Sequence, residues 1–202
     1  DYEESPGIEP GDIFVNNDTH VGDVHPCDIM TLIPIFHEGE LVAWAGGVNH
    51  VIDAGAIGPG SMNVSQASRF GDGAYYTARK IGEDLEIYNS WKNDFPDKTR
   101  TPDFLKLDEK TRMTGCLMIR SAVNNIIDEY GIERFKQLSR EAVEDGRRGF
   151  RSRIQKTMLP GTYRGVSFVD ALYEGQSNLT REYANENHLM HAPSELHVRE
   201  DG

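Results

Sequence analysis

The sequence predicts an α+β fold in which β-hairpins and a mixed sheet carry the functional site and a pair of long helices packs against them. Three observations lead there. Met30–His50 reads MTLIPIFHEGELVAWAGGVNH, two apolar, β-rich runs on either side of HEGE. Residues 101–158 carry apolar side chains at helical spacing, broken at Gly131. Short apolar runs bounded by polar turns, GDIFVNND at 11–18 and GTYRGVSFVDALY at 161–173, frame both.

The elements follow in order. GDIFVNND is expected as a short strand that ends in a polar turn. Met30–His50 is expected as a β-hairpin, with Gly39 free to take the positive φ of a tight turn. Antiparallel pairing then returns the end of the second run to the start of the first, so the polar turn before Met30 and Asn49–His50 share one end of the hairpin. Asp53–Asn63, with three glycines and a proline, is a loop. Residues 65–87 fit a turn, a strand or a helix start. Thr101 and Pro102 mark a helix N-terminus, as N-cap and first helical residue. Apolar residues from Leu105 to Ile127 follow, and Gly131 marks the C-terminal end. A second helix is expected from about Ile132 to Thr157, ended by Pro160 and Gly161. A returning strand follows at 161–173. Residues 174–202 are polar, with three histidines and little periodicity, and read as a tail or connection. The expected division is therefore 1–173 as one domain and 174–202 as its appendage.

Composition narrows the function. A net charge of −12 over 202 residues leaves no global basic footprint for nucleic acid. Arg147, Arg148, Arg151, Arg153 and Lys156 recur at helical spacing and read as a solvated or subunit-facing helix side. No apolar run approaches the roughly 18–20 residues of a membrane span. Two cysteines, Cys27 and Cys116, are too few for a disulfide framework, so a reducing cytoplasm is the expected setting. Cys116 lies in an apolar helical stretch and is expected as a buried thiol. The opening DYEESPGIEPGD reads as a linker entering a strand, as in an interior piece of a longer polypeptide.

The densest chemistry lies in NNDTHVGDVHPCDIM, residues 16–30. His25 and Asp28 are spaced H-x-x-D, and the hairpin brings His50 to the same end. Two imidazoles and a carboxylate suit manganese, iron or zinc, and three protein ligands leave coordination positions open for water or substrate. Asn17 and Asp18 are expected to hold the turn through side-chain-to-backbone bonds. His20, Asp18 and Asp23 compete as ligands. Cys27 with His25 or His50 as base is the nucleophile alternative, without an oxyanion-hole signature to support it.

These segments together resemble the hydantoinase B family: GDIFVNNDTHVGDVHPCDIMTLIPIFHEGELVAW, NHVIDAGAIGPGSM, RTPDFLKLDEKTRMTGCLMIRSAVNNIIDEYG and LPGTYRGVSF. The likeness spans roughly residues 11–170, and NDTHVGDVHPCD is most similar to the ketone carboxylase branch. The resemblance implies a hydantoinase B-like fold and a divalent metal, manganese first with zinc or iron as alternatives, on His25, Asp28 and His50. It implies a ligase that joins an activated ketone such as acetone with bicarbonate or CO2 to give a β-keto acid. ATP and Mg would sit mainly on a hydantoinase A-type partner, with a small third subunit completing a hetero-oligomer. His20 is the expected acid or base. Asp18, His20, Asp23 and Asp53 are the candidates to orient the ligands, and Gly55–Met62 the pocket wall. The family also implies two alternatives: a hydantoinase or oxoprolinase subunit that opens a cyclic amide with ATP, and a non-catalytic docking subunit.

Overall fold

The computed structural model describes residues 7–60, 68–170 and 189–201. It divides into two units, Asp1–Asp128 and Glu129–Gly202.

The first unit is built on a five-stranded sheet of order β3-β2-β1-β4-β5. The strands are β1 (Ile13–Asn16), β2 (Asp28–His37), β3 (Glu40–His50), β4 (Arg79–Glu83) and β5 (Glu86–Ile87). Every pairing is antiparallel. The β2–β3 hairpin turns through Glu38 and Gly39, both at positive φ (49° and 85°), the geometry of a tight two-residue turn. The ambiguous stretch 65–87 resolves, in its described part, into a short 3-10 turn at Arg69–Gly71 followed by β4 and β5.

Alternation along β2 sends Ile29, Thr31, Ile33 and Ile35 to one face, all fully buried. Leu105, Met113 and Cys116 of α2 (Pro102–Tyr130) join that core, with Trp91 of α1 (Asn89–Asp94) and the adjoining Phe95. At Gly47, β3 lies close against α2. A Cβ there would stand 3.3 Å from both the Arg112 carbonyl and Cys116 Sγ, so a larger residue would push the helix away. Cys116 is the buried thiol expected, donating to the Thr31 carbonyl at 3.4 Å. Thr101 precedes the helix, and its carbonyl accepts the N–H of Leu105 at 3.1 Å.

The second unit begins at the end of α2. Gly131 takes φ 82° between α2 and α3 (Ile132–Thr157). No side chain of α3 is buried. Arg147 and Arg148 pair with Glu144 and Asp145 one turn back on the same helix, and Arg151 pairs with Asp201. β6 (Gly161–Asp170) pairs antiparallel with β7 (Leu189–Val198). Within the polar stretch 174–202, Leu189–Val198 is therefore a strand. That segment lacks period-2 alternation because both faces of its hairpin are exposed where described, so no apolar face is selected.

Candidate metal centre

The site is assembled at the end of β2 and β3 opposite their turn. Asp28 and His50 are direct register partners across the two strands. Opposed residues project from the same face. Neighbouring Ile29 points into the core, so Asp28 and His50 occupy the other face. His25 joins them through a turn in which the Asp28 N–H donates to the His25 carbonyl at 2.9 Å. The His25 and His50 rings stand edge to face, 4.8 Å between centroids and 90° apart. His25 Nδ1 lies 3.2 Å from Asp28 Oδ2. The three residues named from the sequence thus form one cluster.

Asparagines fix this turn. Asn17, fully buried, donates from Nδ2 to the carbonyls of Pro26 and Ala74, both at 2.8 Å, and accepts the Tyr76 N–H on Oδ1 at 2.7 Å. It ties the residue beside His25 to the chain entering β4. Asn16 works likewise, donating to the Val21 carbonyl and accepting the Ala78 N–H. The expectation that side-chain-to-backbone bonds hold the turn is met, and Asn16 adds to it.

The four carboxylates and histidines expected to orient the ligands separate into two kinds. Asp18 accepts from Thr77 Oγ1 at 2.6 Å, from the His20 N–H at 2.9 Å, and from Arg69. These donors, Thr77 first, hold its carboxyl below the ordinary carboxylate value. Asp53, 1% exposed, accepts the backbone N–H groups of Arg100 and Gly55 and the Arg100 guanidinium at 2.8 Å. Burial pulls its pKa upward, yet those donors outweigh it and the net direction is down. Both acids are tied to the scaffold and neither reaches for an imidazole. His20 is exposed, and it enters the turn by its backbone N–H.

Asp23 differs. Oδ1 accepts the Val24 N–H at 2.8 Å, but Oδ2 is enclosed and without a hydrogen-bond partner. Its carboxyl is pushed up, by burial first and then by the charge of Asp28, against the pull of the Val24 N–H and of His25. His25 Nδ1 is equally enclosed and lacks hydrogen-bond geometry, although Asp28 Oδ2 is at ion-pair distance. Among the described residues, no three His, Cys, Asp or Glu side chains already converge on one point. The residues fit a cation by donor type, by adjacency and by these orphaned atoms. A hard or borderline divalent ion accepts imidazole nitrogen with carboxylate oxygen.

The loop after β3 closes over the turn. The Val51 N–H donates to the Cys27 carbonyl at 2.7 Å, the Gly60 N–H to Ile52 at 3.1 Å, and Cys27 Sγ to the Gly60 carbonyl at 3.6 Å. Gly60 of the expected pocket wall therefore lies beside Cys27, while Ser61 and Met62 lie outside the described residues. Cys27 is 1% exposed and burial raises its pKa, the reverse of what a thiolate nucleophile needs, and that alternative is set aside.

One group of polar residues was not anticipated. Arg112 of α2 is 3% exposed, donating from Nε to Thr31 Oγ1 at 3.1 Å and from Nη1 to Asn49 Oδ1 at 2.5 Å. It grips the strand residue before His50 from the core side. One turn earlier, Glu109 accepts Trp91 Nε1, and burial raises its pKa. The signal was available: Leu105, Glu109, Arg112, Met113 and Cys116 share one helical stripe, so the charged members sit where only apolar residues belong unless they are paired.

The model of the family hydantoinase B/oxoprolinase matches residues 1–192. The chain belongs to this family. It is 47% identical over its whole length to the acetone carboxylase alpha subunit of Xanthobacter autotrophicus, covering 26% of that protein. It is 32% identical over 82% of its length to the acetophenone carboxylase delta subunit of Aromatoleum aromaticum, covering 24% of that protein. It superposes on the nucleotide-free structure of acetone carboxylase with a TM-score of 0.91 and 46% identity, over 100% of this chain and 27% of the other. The ATP-dependent caprolactamase of Pseudomonas jessenii, at 20% identity and a TM-score of 0.73, shares the fold. The chain thus spans about a quarter of the length of these two carboxylase subunits. The hydantoinase B-like α+β expectation is met. Among the described residues, no helix is long and apolar enough to cross a membrane.

Proposed function

We propose that this hydantoinase B-type chain carries the metal centre of an ATP-dependent ketone carboxylase, a ligase that joins the enolate of a ketone such as acetone to a bicarbonate-derived CO2 and yields a β-keto acid. The observation that carries the proposal is the cross-strand pair Asp28–His50 with the His25 ring packed against it. Similarity over the whole of this chain to part of the acetone carboxylase alpha subunit suggests the reaction class.

His25, Asp28 and His50 hold the ion, manganese by the family's precedent, with zinc or iron compatible with the same donors. Bound there, a divalent cation supplies Lewis acidity for developing oxygen charge and a template for the two reactants. The chain's own residues do the rest. Asn17 and the His25–Asp28 turn fix where the first imidazole stands, and Arg112 anchors Asn49 beside the second. The Gly55–Gly60 loop walls the turn. His20, exposed at its rim, is the proton-transfer candidate. ATP and Mg are handled by a hydantoinase A-type partner in a cytoplasmic hetero-oligomer that includes a small third subunit.

The test is metal analysis by mass spectrometry on the purified native assembly, beside the His25→Ala variant. About one manganese per chain, lost in the variant, supports the reading. No stoichiometric metal in either sample overturns it. Assays with acetone, acetophenone and 5-oxoproline separate ketone carboxylation from cyclic-amide opening.

A further inference from the structure

A cleft of about 500 Å3 is lined by residues of β5, α1 and α2. It shares no residue with the turn of the metal centre. Its volume falls in the range of small-molecule sites, roughly 300–1,000 Å3, which are mostly apolar with a few placed polar groups. Both parts are present. Ile87 and Met113 supply apolar surface, and Lys92, Lys106 and Lys110 bring three ammonium groups. Glu109, 7% exposed, is the one acid among the described lining residues.

The lysines are the unusual feature. The chain carries a net charge of −12, so acids are plentiful. Lys80 and Lys98 each sit against an aspartate. Lys92, Lys106 and Lys110 pair with no carboxylate among the described residues. Lys92 reaches the Asn89 side-chain oxygen at 3.4 Å. Lys106 and Lys110 stand one turn apart on α2, a spacing at which like charges destabilise a helix slightly. Glu109 does not neutralise them. Its Oε1 accepts Trp91 Nε1 at 2.5 Å, and burial pushes its carboxyl up, towards the neutral form that an anion tolerates as a neighbour. Three unpaired cations thus meet over an apolar floor in an acidic chain.

We infer that this cleft binds a small organic anion, its anionic oxygen head among Lys92, Lys106 and Lys110 and its apolar body against Met113 and Ile87. Alkyl or aryl carboxylates and phosphate monoesters share that chemistry. The lysines attract and orient the head, and removal of the body from water holds it there. Neither part suffices alone: an inorganic anion leaves the floor wet, and a neutral apolar molecule leaves the ammonium groups unpaired. The inference is independent of the metal-centre reading, because it uses none of the residues of that site.

The experiment is reductive methylation of lysines in the native assembly, read peptide by peptide by mass spectrometry, with octanoate, octyl phosphate, 1-octanol or inorganic phosphate present. Octanoate or octyl phosphate is expected to slow labelling of Lys92, Lys106 and Lys110 about tenfold at ten times the half-saturating concentration. Lys156, exposed on α3, is the control and should label at an unchanged rate. Whichever head protects at the lower concentration, carboxylate or phosphate, identifies the source. In Lys106→Gln with Lys110→Gln, two exposed positions, protection read at Lys92 is expected to need about 10-fold more ligand. Arginine at both positions should restore it. Equal protection by 1-octanol would reduce the cleft to an apolar patch, and equal protection by inorganic phosphate would reduce it to a charged one; either overturns the inference. So does a bare assembly in which Lys106 and Lys110 do not label, because the cleft is then covered by protein.

Discussion

Asp53 and Asp23 flank the same hairpin end and have opposite lives. Asp53 is almost fully buried, and every direction around it offers a donor: two backbone N–H groups, a guanidinium and the Thr99 hydroxyl. Its carboxyl is driven down despite the burial. Asp23 is less buried and has one donor, and its carboxyl is driven up. The difference separates an acid that builds the scaffold from one that the scaffold leaves open. Burial alone does not distinguish them, and neither does residue type. The deciding quantity is how many donors the fold has already aimed at each oxygen.

The sharpest way to break that comparison is a crossed pair of substitutions. Asp53→Ala strands the Arg100 and Gly55 N–H groups and a guanidinium, and is expected to cost about 2–4 kcal/mol of stability. The folded fraction is expected to keep its metal stoichiometry. His50→Ala should do the reverse. His50 is exposed at a strand end, so stability in the presence of chelator is expected to change by less than about 0.5 kcal/mol, while stoichiometric metal is lost. Denaturant unfolding and mass spectrometry on the same preparations check both arms. A His50→Ala protein that keeps its manganese would remove the site from this face of the sheet.

Asn17→Ala lies between the two. Its loss leaves the Pro26 and Ala74 carbonyls and the Tyr76 N–H without their partner. About 2–3 kcal/mol of stability is expected to go. Metal affinity is expected to weaken as well, because the Pro26 carbonyl is what holds the peptide next to His25. A variant that loses stability but binds manganese like the wild type would show that the turn keeps its shape without this anchor.

The two kinds of acid were not equally legible in the sequence. The hairpin was, because two β-rich runs flank Glu38–Gly39 and antiparallel pairing returns His50 to the end where Asp28 lies; their direct opposition depends on the register shift between Ile35 and Phe36, which the two runs do not announce. His25 followed from its spacing to Asp28. What spacing could not tell is which aspartate finds donors. Asp53 meets Arg100, 47 residues away, and Asp18 meets Thr77, 59 away, and both meetings are set by the packed fold. Arg112 was hidden for the same reason: its partners Thr31 and Asn49 lie 81 and 63 residues away, on strands it reaches only once α2 has docked. Leu189–Val198 was illegible because its hairpin buries neither face where described, and a strand without a buried face leaves no alternation to read.

The comparison also makes a pH prediction. Because the Asp53 carboxyl is lowered in the folded state, its ionised form contributes stability above the ordinary value of 3.8, and the contribution disappears as pH falls through the lowered folded value. The stability gap between wild type and Asp53→Asn is therefore expected to be constant from pH 7 to about pH 5, and to narrow only below the ordinary value. Thermal denaturation of both proteins across that range reads it. A gap that already closes near neutrality would assign the effect to another group.

The smallest effect is expected on α3. Arg147 binds Glu144 through both Nε and Nη2, with its longest contact at 2.8 Å, which on geometry alone matches the Arg100–Asp53 pair. Yet both partners are about half exposed, and water screens and competes for each of them. Arg147→Ala is expected to leave the melting temperature unchanged within error, at low salt and at high salt alike. Equal distances with unequal consequences would place the source of the Asp53 effect in its exclusion from water and its backbone donors. A clear loss of stability at low salt that vanishes at high salt would instead show that the basic face of α3 acts as a network, and that the fold draws on charge well away from its core.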